Sequence, residues 1–346
     1  MSIFQTAIIT SIKEETTGVK TFTVAYADGS SIPYVAGQFI TFAFTHHGRE
    51  ERRSYSISSS PEVDAALSFT VKRVDNGSYS RLLIDRAVVP ERLLTTGAAG
   101  LFTLPADIGV YRQVFFFAAG IGITPVFSLI KSVLHTQADK QVVLIYSNRH
   151  KNDVVFYEEL CAQILVFPDR FKIEFLYSTN FDLKRARLSK ELLPMLLNEY
   201  VRVPVEQILF YICGPFAYMR MATLSLEENG IDSNNIRKEN FNTKDRQVKA
   251  VEPPDKATHT VTLNHDGKTY NFPVQYPDSI LQAAKKQGIS LPYSCEVGRC
   301  GSCAARCTIG KVWLSYNEVL MDMDLRHGSI LTCTGHPVGG DVVIEA

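Results

Sequence analysis

"SCEVGRCGSCAARC", residues 294–307, holds four of the chain's seven cysteines in fourteen residues. Thiols this crowded pair as disulfides, bind zinc, or hold iron and sulfide. The N-terminal "MSIFQTAIITSIKEE" lacks the basic stretch and apolar core of a secretory signal. A cytoplasmic setting is therefore expected, and reduced thiols there point to metal or redox chemistry rather than staples.

Cys295, Cys300 and Cys303 are spaced C-x4-C-x2-C, and Cys333 follows in "ILTCTGHP". Zinc sites more often pair two short C-x2-C knuckles, and here there is one. The observed spacing with a distant fourth Cys is that of a plant-type [2Fe–2S] site. Gly298 and Gly301 lie between the cysteines, where backbone N–H groups must turn toward sulfur. Cys307, in "AARCTIGKV", reads as a small core residue on a strand leaving the loop.

Working outward, 346 residues suggest two or three domains. Apolar residues make up 45% and charged residues 21%, and Lys plus Arg balance Asp plus Glu at 36 each. No basic excess points to nucleic acid. The most apolar run, "VFFFAAGIGITPVFSLI", is broken by Gly, Thr and Pro. It falls short of the roughly 18 apolar residues of a membrane span. From Phe4 to about Leu104, alternating runs such as "VKTFTVAY" and "QFITFAF" read as an antiparallel barrel or sandwich. From about Val114 to Phe241, apolar runs such as "QVVLIYS" alternate with helical stretches such as "TPVFSLIKSVLHT". That grammar belongs to a parallel sheet covered by helices. "NTKDRQVKAVEPPDKA", residues 242–257, reads as a linker. Beyond it comes a hairpin closed by Asp-Gly and a short helix, "DSILQAAKKQG".

Within the first segment "RRSYSIS" presents Arg53, Tyr55 and Ser56. A phenol ring can stack on an isoalloxazine, a hydroxyl can bond a ring nitrogen, and an Arg fork can hold pyrophosphate. Taken alone, the motif also suits the polar edge of an exposed strand. "VKRVDNGSYSRLL" places Gly77, Ser78 and Ser80 at a helix start, a ready phosphate site. "FFFAAGIGITPVFSLI" sets Gly120, Gly122, Thr124 and Pro125 between strand and helix. Pro is at home in a first helical turn, where its missing N–H costs nothing. "YICGPFAYM" adds Cys213, Gly214 and Pro215, and "RKENF" adds Glu239 and Phe241.

These motifs, in this order, resemble the ferredoxin–NADP reductase superfamily. Residues 258–346 resemble a plant-type ferredoxin domain, and the tail "GSILTCTGHPVGGDVVIEA" is similar to the C-terminal domains of oxygenase reductases. The resemblance implies a multidomain fold: an FAD-binding antiparallel β-barrel over 1–106, an α/β parallel-sheet NAD(P)H domain over 107–241, the linker 242–257, and an α+β [2Fe–2S] domain over 258–346. It further implies that Arg53 binds the flavin pyrophosphate, Tyr55 stacks on the flavin and Ser56 sits near its reactive nitrogen. Gly120 and Gly122 would lie under the coenzyme pyrophosphate, with Thr124 and Cys213 by the nicotinamide and Glu239 and Phe241 by the flavin. Cys295, Cys300, Cys303 and Cys333 would be the cluster ligands.

A 2′-phosphate needs basic partners, and Arg149, Ser178, Lys184, Arg185 and Arg187 are candidates. No acidic residue directly ends "KIEFLYS", although Asp182 is close, and a solvated basic face is the alternative. The balance slightly favours NADPH. The implied function is electron transfer from NAD(P)H through FAD and the cluster to an oxygenase component or another one-electron acceptor protein. A stand-alone NAD(P)H oxidase or redox sensor, and a donor to a membrane desaturase, remain open at this point.

Overall fold

The computed structural model describes residues 4–241 and 251–346. Phe4–Phe241 form one compact unit, and residues 251–346 belong to a second.

The first unit opens with β1 (Gln5–Thr16), β2 (Val19–Tyr26), β3 (Phe39–His46), β4 (Arg49–Ser56), β5 (Leu67–Lys72), helix α1 (Ser78–Arg86) and β6 (Glu91–Ala99). The strands form an antiparallel sheet in the order β4-β3-β6-β1-β2-β5. A bridge between Ile57 and Phe69 joins its two edges and closes the barrel. Inward residues Phe22, Phe42, Phe69, Ile9 and Ile40 fill the core, as the period of two requires.

The chain continues through β7 (Gln113–Ala119), α2 (Ile123–Thr136), β8 (Gln141–Asn148), α3 (Tyr157–Val166), β9 (Phe171–Tyr177), α4 (Leu192–Tyr200), β10 (Ile208–Cys213), α5 (Phe216–Glu228) and β11 (Ile236–Glu239). The sheet is parallel, in the order β11-β10-β7-β8-β9. β7 sits at its centre, with Phe116 packing into one apolar layer and Phe115 and Phe117 into the other. Burial on both faces explains why "VFFFAA" shows no alternation. Successive connections run outward from β7 in opposite directions, so the loops after β7 and β10 flank a switch point, the usual crevice of such sheets. The barrel and the sheet are joined by buried polar contacts. Ser128 on α2 donates to Ser59 O and accepts from Gly37 N, and Lys131 pairs with Asp64.

In the second unit β12 (His259–His265) and β13 (Lys268–Val274) form the expected hairpin, with Asp266 and Gly267 at φ 49° and 70°. Two residues at positive φ match the right-handed strand twist, which is what Asp-Gly supplies. There follow α6 (Ile280–Lys286), β14 (Ala304–Ile309), β15 (Val312–Leu314), α7 (Asp322–Arg326), β16 (Ser329–Leu331), β17 (Gly335–Pro337) and β18 (Val342–Glu345). Ser279 caps α6 in a reciprocal box with Gln282. The main sheet runs β13-β12-β18-β14-β16, and β15 pairs with β17. Of the expected linker, residues 242–250 lie outside the described residues. Asp255, near its end, accepts hydrogen bonds from Gly339 N and Ala257 N and pairs with His259. Those contacts hold its carboxyl down to about 2. Among the described residues, no helix is long and apolar enough to cross a membrane.

Candidate functional site

The residues singled out in the first unit lie in two places. On β4, Arg53 and Tyr55 share a face with Phe42 and Ile40 of β3, their cross-strand partners. Tyr55 stacks at 6.2 Å on Tyr79 of α1, and Tyr79 stacks at 4.2 Å on Phe44. The Arg53 guanidinium lies 5.7 Å from the Phe44 ring and donates to Glu51 at 2.6 Å. Arg53 and Tyr55 thus stand at the two ends of one aromatic ladder. Tyr79 and Phe44, its middle rungs, carry no motif of their own. The alternation of side chains along β3 and β4 is the one sequence signal that could have found Phe44.

α1 begins at Ser78 with Gly77 as its cap, and no side chain accepts from its first turn. Its leading N–H groups therefore remain for an anion, the requirement for a phosphate. The Ser80 hydroxyl accepts from Val74 N at 3.3 Å, which closes the loop ahead of the helix. A Cβ on Gly77 would come 2.3 Å from that same oxygen. An aromatic face, an Arg fork and an uncapped helix start together fit FAD.

The second place is the switch point. Gly120 has φ 53°, and the turn Gly120–Gly122 packs so closely on β10 that a Cβ at Gly122 would lie 2.3 Å from Cys213 O. Gly214 is also tight, since a Cβ there would lie 2.9 Å from Ala119 Cβ. Pro125 falls in the first turn of α2, as expected, and Pro215 precedes α5. Thr124 is buried and donates to Ile121 O at 3.0 Å. Cys213 faces Glu239 across the parallel ladder, and Ser56 donates to Glu239 Oε2 at 3.4 Å. Burial pushes the Glu239 carboxyl up to about 8, with the Ser56 hydrogen bond opposing, and burial raises the Cys213 thiol as well. Ser56, Cys213 and Glu239 are thus brought together, and such a carboxyl can hold or release a proton near neutrality. Phe241 is exposed and makes no part of that group.

At the end of β8, Ser147 Oγ and Asn148 Nδ2 are buried beside the Tyr218 and Tyr146 hydroxyls and make no well-formed hydrogen bond. Unsatisfied groups at the C-terminal end of a parallel strand fit a bound nucleotide. The 2′-phosphate candidates separate. Thr179 donates to Arg149 O at 2.9 Å and meets His150 Nδ1 at 3.1 Å, which ties the Arg149 and Ser178 loops together. Arg185 is instead held by two carboxylates, Glu174 at 2.7 Å and Glu199 at 2.6 Å, where Arg53 meets one. Lys184 and Arg187 are exposed, and Lys184 N donates to Asp182 Oδ1.

In the second unit the cysteine loop winds through Glu296, Gly298 and Gly301 at φ 57°, 74° and 75°. A Cβ on Gly298 would come 2.7 Å from Tyr316 O. The loop turns Val297 N and Arg299 N toward Cys295 Sγ, and Ser302 N toward Cys300 Sγ, each at 3.5 Å. Cys303 and Cys333 sulfurs lie 3.2 Å apart. Among the described residues, no three His, Cys, Asp or Glu side chains are arranged to hold a single metal ion. The thiols instead adjoin one another in series. Cys300 lies beside Cys295, which with Cys303 neighbours Cys333. Donation from its neighbours holds Cys295 low and pushes Cys300 and Cys333 up. Four such thiols cannot all ionise without cations among them, and backbone donors aimed at sulfur fit an iron–sulfur group. Cys307 is half-buried and packs against the margin of the core rather than inside it. Its thiol donates to Ile309 O at 3.3 Å, and two of the last three residues of its strand are exposed.

Comparison with known proteins agrees with this geometry. Residues 6–104 match an oxidoreductase FAD-binding domain, residues 116–223 an oxidoreductase NAD-binding domain, and residues 263–338 a 2Fe-2S iron-sulfur cluster binding domain. The chain is 31% identical to the ferredoxin reductase component of 3-ketosteroid-9-alpha-monooxygenase of Mycobacterium tuberculosis (strain ATCC 25618 / H37Rv), over 97% of this chain and 94% of that one. It is 30% identical to a 1,2-phenylacetyl-CoA epoxidase subunit of Escherichia coli (strain K12), over 100% of this chain and 98% of that one. The solved structure of phthalate dioxygenase reductase shares the fold with a TM-score of 0.59 at 22% identity, covering 99% and 98% of the two chains. An FAD site, a nicotinamide crevice and a [2Fe–2S] loop in one chain, with relatives of this kind along its length, place the protein in the family of reductase components of oxygenase systems.

Proposed function

We propose that this NAD(P)H-dependent oxidoreductase feeds a dedicated oxygenase component through the residues described above. Bound to the chain, FAD would supply two-electron hydride acceptance and the [2Fe–2S] cluster one-electron release. Arg53 and the α1 N-terminus, with Gly77 and Ser78, hold the flavin's phosphates, and Tyr55 supports its ring. Gly120, Gly122, Gly214 and Pro215 let the coenzyme approach the switch point closely, and Cys213 lines that crevice. The Glu239 carboxyl holds a proton that Ser56 Oγ can relay. Cys295, Cys300, Cys303 and Cys333 ligate the cluster within the domain that begins at about residue 258. The coenzyme is NADPH by a modest margin, with Arg149 and Ser178 as the 2′-phosphate partners.

The observation that carries the reading is the meeting of Ser56, Cys213 and Glu239 at the switch point, in a chain that also holds a backbone-lined cysteine loop. A stand-alone oxidase would have no use for that second site. The test is a chain ended after Phe241, the last residue of the first compact unit. It should retain FAD and reduce ferricyanide with NAD(P)H, yet fail to support an oxygenase component encoded nearby. Support at the parent's rate would mean that electrons leave from the flavin.

A further inference from the structure

Two tyrosines hold the Gly-rich turn from either side. Tyr146, fully buried on β8, donates its hydroxyl to Gly120 O at 3.1 Å. Tyr218, in the first turn of α5, donates to Ala118 O at 3.2 Å. β8 and β10 are the two neighbours of β7, so one hydroxyl arrives from each flank. Gly214 makes room for the second, since a Cβ there would come 3.2 Å from the Tyr218 ring. Thr124 adds a third hydroxyl on Ile121 O. Three side-chain donors thus take carbonyls at the end of β7 and in the turn that follows.

A trans peptide points its C=O and the next N–H in opposite directions. Gly120 O and Ile121 O also accept from Ile123 N within the turn, and holding both carbonyls to that side turns Ile121 N–H and Gly122 N–H the other way. Gly120 sits at φ 53°, a conformation with little intrinsic preference to keep it there. With Ile123 N alone holding these carbonyls, a glycine turn can still flip its peptide planes, and each flip would present a carbonyl to an incoming phosphate.

We propose that Tyr146 and Tyr218 are positioning residues for the coenzyme. Their hydroxyls lock the peptide planes of residues 118–122 so that N–H groups, not carbonyls, face the pyrophosphate. The inference rests on the reading that this turn binds NAD(P)H. Neither tyrosine touches the coenzyme; each acts through the backbone.

Tyr146→Phe and Tyr218→Phe remove one hydroxyl apiece and keep the rings. In full-length holoprotein the dissociation constant of NADP⁺ should rise about three- to tenfold per hydroxyl, the range of one neutral hydrogen bond. KM for NADPH should rise in step, with kcat within about twofold and FAD content unchanged, because uniform binding is what is lost. A purely structural role would lower the melting temperature and leave NADP⁺ affinity alone. Unchanged affinity in both variants overturns the proposal, whatever the melting temperature does. If one variant fails to fold, the other decides. A parent protein that neither binds NADP⁺ or NAD⁺ nor oxidises their reduced forms would instead refute the underlying reading.

Discussion

The loop of residues 294–303 and the loop after β9, residues 178–188, are both short and polar, but they hold their reactive groups by different means. In the first, main-chain N–H groups of Val297, Arg299 and Ser302 are aimed at sulfur by residues at positive φ. In the second, charged side chains neutralise one another's neighbourhood, Arg185 with Glu174 and Glu199. A backbone cradle cannot collapse onto itself, so its donors stay available. A long flexible cation finds the nearest carboxylate, and its presence in a loop does not reserve it for a ligand.

The largest effect expected from this difference is at the cysteines. Cys303→Ser should abolish iron and acid-labile sulfide while FAD is retained, because its sulfur adjoins Cys333. Cys307→Ser, four residues on and half-buried, should leave both near two per chain. Equal iron loss in the two variants would show that the loop does not present a defined set of four ligands. Arg53→Ala comes next. Removing one charge-assisted contact should weaken FAD binding roughly ten- to a hundredfold, measured by flavin fluorescence on dilution. Retention equal to the parent would place the pyrophosphate elsewhere.

Much of this is legible in the chain itself. The spacing of Cys295, Cys300, Cys303 and Cys333, with glycines where φ is positive, announces its geometry because covalent spacing and backbone freedom are local properties. The same holds for Asp266-Gly267 and for the capped start of α6. What cannot be read are contacts between side chains distant in sequence. Nothing local to Arg185 reveals Glu174 and Glu199, nothing local to Ser80 shows its turn back to Val74 N, and nothing local to Gly120 predicts Tyr146. Helix starts slip for a related reason. "VVFYEELCAQIL" reads as helix throughout, but Val154, Val155 and Phe156 pack into the core first, with Phe156 at φ 63°, and α3 begins at Tyr157.

Two smaller effects are expected within the first unit. Burial disfavours the charge of Glu239 and pushes its carboxyl up to about 8. The folded chain therefore keeps a proton that the unfolded chain sheds above its ordinary 4.5, and stability from this group is lost as pH rises from about 5 to 8. Glu239→Gln cannot ionise, so its melting temperature should gain on the parent's as pH rises over that window. A constant difference at all pH values would deny the raised carboxyl. The smallest effect is expected at Arg185→Ala. It should cost about 0.2–1 kcal/mol of stability, as exposed ion pairs do, and alter the NADPH-to-NADH ratio of kcat/KM by less than about twofold. Arg149→Ala should lower that ratio further, and the reverse ranking would return Arg185 to the coenzyme.

The electron route itself is tested most directly by anaerobic addition of NADPH to the holoprotein in a rapid-mixing spectrometer, with the sample then frozen for electron paramagnetic resonance. Flavin absorbance should fall first, the red-brown iron–sulfur band should bleach afterwards, and a reduced-cluster signal should appear. The chain ended after Phe241 should show the flavin phase alone. A cluster that stays oxidised beside a fully reduced flavin would contradict transfer from flavin to cluster.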